Sequence, residues 1–285
     1  MIKIRPHFER HFIRYSCWAV VVLIIASWLY ILYDQPEAVS SLFNPKNVDY
    51  LLDFLNGMLG LAEETPAYLD AQLWQKALTL SWDTFLMSIL ATGIAAGGML
   101  LLVLPAARNV AQGHFRLQTR WYHHVAYYFS RGLFLFSRAV PELMWAMILV
   151  FIFKPGIIPG ALALAIHNFG VLGKLCTEVV EDMDEKPIRH LVENGASASQ
   201  LLLYGFYPML IRPFVNYILY RMENIIRATL IVGFVGASGL GMQFKLAMSF
   251  FHYSEITLYL LCYLLLVYVT DILSALVKRY IASID

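Results

Sequence analysis

The segment YILYRMENIIRATLIVGFVGASGLG, residues 217–241, decides the fold because it combines the length of a membrane span with three charged side chains. About 20 apolar residues are enough to cross a bilayer as a helix. Arg221, Glu223 and Arg227 lie in the first half of the segment. Because one charge at the bilayer centre costs roughly 2.5–3.5 kcal/mol on insertion scales, these residues need partners or a watery surrounding.

The composition of the whole chain is that of a membrane protein. Of its 285 residues, 59% are hydrophobic and only 14% are charged, whereas a soluble chain carries about 25% charged residues. The formal net charge of +1 indicates no overall attraction to nucleic acid. The chain is therefore predicted to be an all-α integral membrane protein in a lipid bilayer, with no nucleic-acid partner.

Apolar blocks predict about six transmembrane helices: near residues 16–33, 78–104, 132–153 and 161–179, somewhere within 210–238, and near 255–277. The first block lacks a small-residue cleavage pattern, so it is interpreted as a retained helix rather than a signal peptide. Most Lys and Arg residues lie in the N-terminal arm, in alternate loops and in the C-terminal tail. The positive-inside rule then predicts a multi-pass protein of the cell (inner) membrane with both termini cytoplasmic.

The charges of the fifth span allow two interpretations. Glu223 and Arg227 are four residues apart, so they can neutralise one another on one helix face. Arg221 points elsewhere and needs another partner or a cavity. Either these charges are structural, or one or both arginines line an anion pathway, because a guanidinium can donate two parallel hydrogen bonds to an oxyanion.

Other polar residues lie in the predicted spans and are interpreted in the same way. Glu142 follows Pro141 in the third span, where it either pairs with Arg138 or faces a cavity. Lys174 and Glu178 are predicted to form a structural pair along one helix. No metal site is expected, because the histidines lack further ligands. The cysteines suggest neither a disulfide nor a metal site; they are Cys17, Cys176 and Cys262.

The hydrophilic interval between the fourth and fifth spans predicts a short amphipathic helix. Pro187 suits a first helical turn, and Ile188, Leu191 and Val192 follow at the spacing of one apolar face. Gly195 can end the helix in a left-handed conformation. Such a helix can dock its apolar face into a groove on a partner protein, or the interval is an ordinary loop.

Four motifs, taken in order, resemble a known family. They are SRAVPELMWAM (137–147), LGKLCTEVVED (172–182), ENGASASQLLLYGFYP (193–208) and YRMENIIRATLIVGFVGASGLG (220–241). Together they are similar to phosphonate-type ABC permeases (the PhnE family), which include permeases for phosphite and related anions. The spacing of Gly195 and Pro208 resembles the loop by which importer-type ABC permeases engage their ATPases, but Arg189, His190 and Leu191 replace the Glu-Ala-Ala pattern of that loop.

The resemblance implies a type I ABC importer permease fold in a homodimer, with two cytoplasmic ATPase subunits and an extracytoplasmic binding protein. It implies that the ATPase binds ATP and Mg²⁺; the chain has no GxxxxGK[ST] loop, and no cofactor is expected in it. The coupling loop would span about 181–208. Its candidate residues are Ile188, Arg189, Leu191, Val192, Gly195, Ala196, Ser197 and Pro208.

The predicted domains are residues 1–72, with the basic arm, first span and extracytoplasmic segment, and residues 73–285, the permease domain. Candidate pathway residues are Arg221, Glu223, Arg227 and Glu142. Small residues after the fifth span predict close helix packing or, by the resemblance, an external gate: Gly233, Gly236, Ser238, Gly239 and Gly241.

The leading hypothesis is a permease subunit, not itself an enzyme, of an ATP-driven importer for phosphonates, phosphite or a related oxyanion. It would act by alternating access, as the resemblance implies. The same fold could carry another solute, such as an amino acid or a metal chelate. An intramembrane enzyme would need a nucleophile–base or metal constellation, and the sequence suggests none.

Overall fold

In a computed structural model of the protein, the described residues are 6–61, 63–113 and 120–283. All regular elements within these ranges are helical, as the sequence predicts. The chain divides into two compact units, Met1–Gly57 and Met58–Asp285. The predicted boundary between residues 72 and 73 stays a prediction.

The first unit consists of α1 (Pro6–Asp34), α2 (Pro36–Leu42) and most of α3 (Lys46–Met58). Within α1, the part at Ile13–Asp34 is long and apolar enough to cross a membrane, and its side chains are exposed throughout. Exposed apolar side chains over such a length suit contact with lipid. The predicted first span at 16–33 is confirmed.

The second unit begins with a 3₁₀ turn at Ala67–Leu69 and continues with helices of very different lengths. These are α4 (Ala71–Ala106), α5 (Arg108–Ala111), α6 (Trp121–Ala139), α7 (Glu142–Phe153), α8 (Ile157–Asp182), α9 (Lys186–Glu193), α10 (Ala198–Gln200), α11 (Tyr207–Gly233), α12 (Leu240–Ser249) and α13 (Tyr253–Ala282). A π-helical stretch, Leu201–Phe206, joins α10 to α11.

Three helices of this unit, α4, α8 and α13, are long and apolar enough to cross a membrane. They confirm the second, fourth and sixth predicted spans, and each helix extends beyond its predicted ends. The fifth predicted span corresponds to α11, a 27-residue helix. The prediction placed this span somewhere within 210–238, and α11 ends at Gly233, where the glycine-rich segment that follows forms a turn before α12.

The predicted third span, 132–153, is divided into two helices. α6 begins at Trp121, and the axes of α6 and α7 differ by 89°. Pro141 has no amide hydrogen with which to continue a helix. Val140 before it is extended, with φ −90° and ψ 123°, as the steric demand of proline favours. The break places Glu142 at the start of α7.

α8 lies at the centre of the second unit and packs against α4, α6, α7 and α11. Close approach to α6 depends on Gly170 and Gly173, where an added Cβ would overlap atoms of α6. At Gly170 it would lie 2.6 Å from the backbone nitrogen of Arg138. Small residues of this kind allow transmembrane helices to pack closely, so the two helices are held in a fixed relation.

Candidate functional site

Neighbouring helices bury much of α8, but one stripe of its side chains stays half-buried or exposed. The stripe residues follow one another at steps of three or four: His167, Val171, Lys174, Glu178 and Asp182. Four of these five carry polar or charged side chains. A stripe that faced lipid would be apolar, because charges are costly in hydrocarbon. The stripe therefore suits a watery path or contact with another chain.

Arg221 of α11 is held by a neutral side chain of α8. Its Nε donates to Oδ1 of Asn168 at 2.9 Å, and its Nη2 donates to the same oxygen. Asn168 is itself buried, and its Nδ2 donates to the carbonyl oxygen of Leu164 at 2.7 Å. Because the acceptor is an amide, the guanidinium is fixed in place but keeps its positive charge.

Glu142 pairs with a histidine rather than with Arg138, the local partner that one of its two interpretations offered. Its Oε2 lies 3.4 Å from Nε2 of His167. The Nδ1 atom of that ring lies 2.9 Å from the carbonyl oxygen of Val140. A carbonyl only accepts, so Nδ1 carries a hydrogen. The sharp break at Pro141 turns Glu142 towards α8 and away from the last turn of α6.

Glu142 also interacts electrostatically with Arg221, beyond ion-pair distance. Together with His167 and Asn168, these two predicted pathway residues form a polar cluster where α7, α8 and α11 meet. His167 and Asn168 were not among the residues that the sequence predicted for a pathway. The signal that could have identified them is the same as for Arg221: polar side chains in the middle of a span.

The predicted pair between Glu223 and Arg227 does not form; each residue pairs with α13 instead. Nζ of Lys278 donates to Oε1 of Glu223 at 2.8 Å, and the hydroxyl of Ser274 donates to the same oxygen. Nη2 of Arg227 lies 3.0 Å from Oδ2 of Asp271. Better partners on the neighbouring helix thus replace the local pair, and both charges link α11 to α13.

The predicted pair between Lys174 and Glu178 is confirmed, with Nζ and Oε1 separated by 3.5 Å. Both side chains are about half exposed. An exposed pair of this type contributes only about 0.3–0.5 kcal/mol.

The small residues after α11 form a tight, largely buried turn. A Cβ on Gly233 would lie 2.6 Å from Cα of Gly241, so the ends of α11 and α12 approach closely there. Gly239 has φ +93°, and the next amide, Leu240 N–H, donates to Oγ1 of Thr84 on α4 at 3.0 Å. This geometry supports the packing interpretation. A gate formed with Gly236 and Ser238 stays a prediction.

The predicted helix of the hydrophilic interval exists as α9, and Gly195 after it has φ +78°. Its apolar face, however, packs inside the chain. Ile188 is fully buried in a core that includes α4 and α8, with Leu191 and Val192 packed against it. The expectation that this face docks on a partner is therefore wrong. The exposed face of α9 carries Lys186, Arg189, His190 and Glu193. Ala196 and Ser197 follow α9, and Pro208 lies in the first turn of α11.

Within the described ranges, no group of three or more His, Cys, Asp or Glu residues is arranged to hold a metal ion.

Comparison with known proteins gives matches of three kinds. The family model for a binding-protein-dependent transport system inner membrane component matches residues 113–283. The phosphite transport system permease protein PtxC of Stutzerimonas stutzeri is 32% identical over 232 residues, 81% of this chain and 80% of PtxC. The phosphate-import permease protein PhnE of Mycolicibacterium smegmatis is 31% identical over 166 residues, 58% of this chain and 29% of that protein.

Among solved structures, a chain of the MetNI methionine ABC transporter in an inward-facing conformation has a TM-score of 0.63. The match covers 74% of this chain and 98% of that one, at 14% sequence identity. An identity this low shows the fold alone, which is that of a type I ABC importer permease.

Proposed function

Because the chain belongs to the family of binding-protein-dependent transport system inner membrane components, we propose that it forms the path by which an ATP-driven importer carries a phosphorus oxyanion. The chain is thus a multi-pass inner-membrane transport subunit and not an enzyme. Phosphite, a phosphonate or a closely related anion is the proposed substrate. The support for this substrate class is the transport function named for the relatives together with one feature of the chain's own charges.

That feature is the partner of Arg221. Asn168 occupies one edge of the guanidinium, and no carboxylate forms an ion pair with it among the described residues. The two terminal nitrogens keep hydrogens that can be donated side by side to an oxyanion. A positive charge held by a neutral, buried amide retains its attraction for an anion. This combination supports a substrate contact at Arg221.

The other two charged residues of this part of α11, Glu223 and Arg227, differ from Arg221 in having partners of opposite charge. Arg227 faces Asp271, and Glu223 faces Lys278, so each charge is already neutralised by a partner on α13. We assign these two residues to the packing of α11 on α13. Glu142, paired with His167 near Arg221, balances part of the positive charge when no anion is bound.

The assembly proposed is two copies of the chain, two cytoplasmic ATPase subunits and an extracytoplasmic binding protein. The ATPases would bind ATP and Mg²⁺, and their cycle would open the path alternately to the two sides of the membrane. The chain's termini would be cytoplasmic, as its basic residues predict. The polar stripe of α8 supports a second copy, because that stripe is unsuited to lipid. ATPase contact would use the exposed face of α9.

Transport by the reconstituted complex tests this function. The chain is placed in proteoliposomes with its ATPase, and the binding protein is added with labelled phosphite or a labelled phosphonate. We expect ATP-dependent accumulation that stops when the binding protein is omitted. Accumulation of an amino acid or a metal chelate, with no accumulation of any phosphorus oxyanion, would contradict the proposal.

A further inference from the structure

A second group of charges lies on the same side of α8, nearer to α9. Here α6 and α8 enclose a cleft of about 130 Å³. Its charged lining residues are Arg131, Arg138, Lys174, Glu178 and Glu181. We call this space the Arg138 cleft. Its size suits a small anion rather than a drug-sized ligand, for which pockets measure roughly 300–1,000 Å³.

Two of the three cations in the cleft already have carboxylate partners. Arg131 lies 2.5 Å from Oε1 of Glu181. It is further fixed by a hydrogen bond from its Nε to the carbonyl oxygen of Ala106 at 3.0 Å and by the ring of Tyr127, 5.1 Å from its guanidinium carbon. Glu181 also accepts from the backbone amide of Arg108 at 2.6 Å. This pair is a rigid wall of the cleft.

Lys174 and Glu178 form the looser pair described above, with half-exposed side chains 3.5 Å apart. A pair of this kind is weak and can exchange its partner at little cost. Lys174 is therefore available to an anion that enters the cleft.

Arg138 is the cation without a carboxylate partner among the described residues. It is half-buried in the last turn of α6, and its backbone is held against α8 at Gly170. Three cations and two carboxylates leave the cleft with a net charge of +1. An arginine beside an exchangeable lysine is a suitable receptor for a tetrahedral oxyanion.

We propose that the Arg138 cleft binds a phosphate-type oxyanion, as a free ion or as the headgroup of an anionic lipid. Arg138 supplies the forked donor and Lys174 the second charge. The cleft is separate from the Arg221 site, because Arg221 meets α8 through Asn168 and does not line the cleft. Binding there does not require the substrate path through Arg221.

Binding of inorganic phosphate is measured by ³¹P line broadening with the full chain in phosphatidylcholine nanodiscs. All variants carry Arg221→Gln, so that the other candidate anion site makes no contribution. We expect broadening that Arg138→Gln weakens about tenfold or more and that Arg138→Lys retains in part. Arg279→Gln, which removes an exposed arginine of α13 outside the cleft, should leave it unchanged.

Glu178→Gln gives a test that loss of folding cannot imitate. Removing this carboxylate frees Lys174, so phosphate should bind roughly two- to fivefold more tightly. Weaker or unchanged binding in Glu178→Gln would oppose the assignment of Lys174 to the site.

A second experiment distinguishes a free phosphate ion from a lipid headgroup as the anion bound in the cleft. Nanodiscs with equal phosphatidylglycerol and phosphatidylcholine are analysed by native mass spectrometry for lipid retained by the chain. Retention of phosphatidylglycerol that Arg138→Gln abolishes, without phosphate broadening, identifies a headgroup site. If neither phosphate nor phosphatidylglycerol binding depends on Arg138, the proposal is overturned. The Arg221 proposal is judged separately, by uptake, so the two can fail independently.

Discussion

At the scale of single residues, the partner of an arginine determines what that arginine can do. Arg221 and Arg227 lie on the same helix, yet one is held by an amide and the other by a carboxylate. Ion pairing removes most of the attraction that a guanidinium exerts on an incoming anion. Asn168 is therefore a positioning residue: it orients Arg221 and leaves its charge available.

Asn168→Asp tests this role with almost no change of shape. The new carboxylate should form an ion pair with Arg221 and compete with the substrate, so uptake should fall about tenfold or more. Uptake of labelled phosphite is measured per assembled complex. Asp271→Asn, which makes the opposite change beside Arg227, should retain most of its uptake. Full activity of Asn168→Asp would show that Arg221 needs no free charge.

The pair of Glu223 and Lys278 should contribute to stability rather than transport. Glu223→Gln leaves Lys278 without a counter-charge in a half-buried position, at a cost of about 1–3 kcal/mol. We expect a lower melting temperature in detergent, partly restored by adding Lys278→Gln, and normal uptake per assembled complex. Lost uptake in the double variant despite restored melting would place Glu223 or Lys278 in the path.

At the scale of elements, helices could be predicted from sequence more completely than their contacts. Apolar length identified α4, α8 and α13, whereas the third span was predicted as a single helix although Pro141, where it breaks into α6 and α7, lies within it. The 89° angle of that break could not be predicted, because it depends on packing against α8. Spacing within α11 likewise showed that Glu223 and Arg227 share a face, but not that α13 offers each a partner.

The same limit explains the error at α9. The pattern of Ile188, Leu191 and Val192 correctly predicted an amphipathic helix, but periodicity does not reveal what an apolar face contacts. In the structure this face meets the chain's own core. Arg221 and Glu142 were singled out as pathway candidates because charge is rare in a span. Asn168 was not, because its role depends on a residue 53 positions away.

Two sets of substitutions in α9 distinguish the role of its buried apolar face from the role of its exposed face. Leu191→Asp places a charge against the core beside Gly205, so it should lower the melting temperature of the chain alone. Arg189→Ala with His190→Ala alters only exposed side chains and should leave melting unchanged while weakening association with the ATPase. Size-exclusion chromatography measures that association. If the chain with both Arg189→Ala and His190→Ala still associates normally with the ATPase, the exposed face of α9 is not the ATPase contact.

At the scale of the whole molecule, the polar stripe of α8 requires a surrounding other than lipid. Its residues run from His167 to Asp182 along a helix whose other faces are packed. In the proposed assembly, a path between two copies of the chain would provide both water and a covering surface. The stripe would then connect the proposed anion contact at Arg221 to that assembly.

Chemical labelling tests whether the polar stripe of α8 is accessible to water. In a Cys17→Ser background, Val171→Cys lies on the stripe and Leu264→Cys lies on an exposed apolar part of α13. Cys176 and Cys262 are buried. In the assembled complex, a water-soluble maleimide should label position 171 well above position 264, at a rate that ATP changes. Equal labelling of both positions would mean that the stripe is not a water-filled path.

The most direct test of the account is transport by a variant that lacks only the charge of Arg221. ATP-dependent uptake of labelled phosphite is compared for Arg221→Gln and for the double variant Arg227→Gln with Asp271→Asn, each normalised to assembled complex. We expect a roughly ten- to hundredfold loss for Arg221→Gln, a smaller loss for Arg221→Lys, and uptake within about threefold of normal for the double variant. Near-normal uptake by Arg221→Gln, or an equal loss in the double variant, would contradict the claim that Arg221 contacts the transported anion.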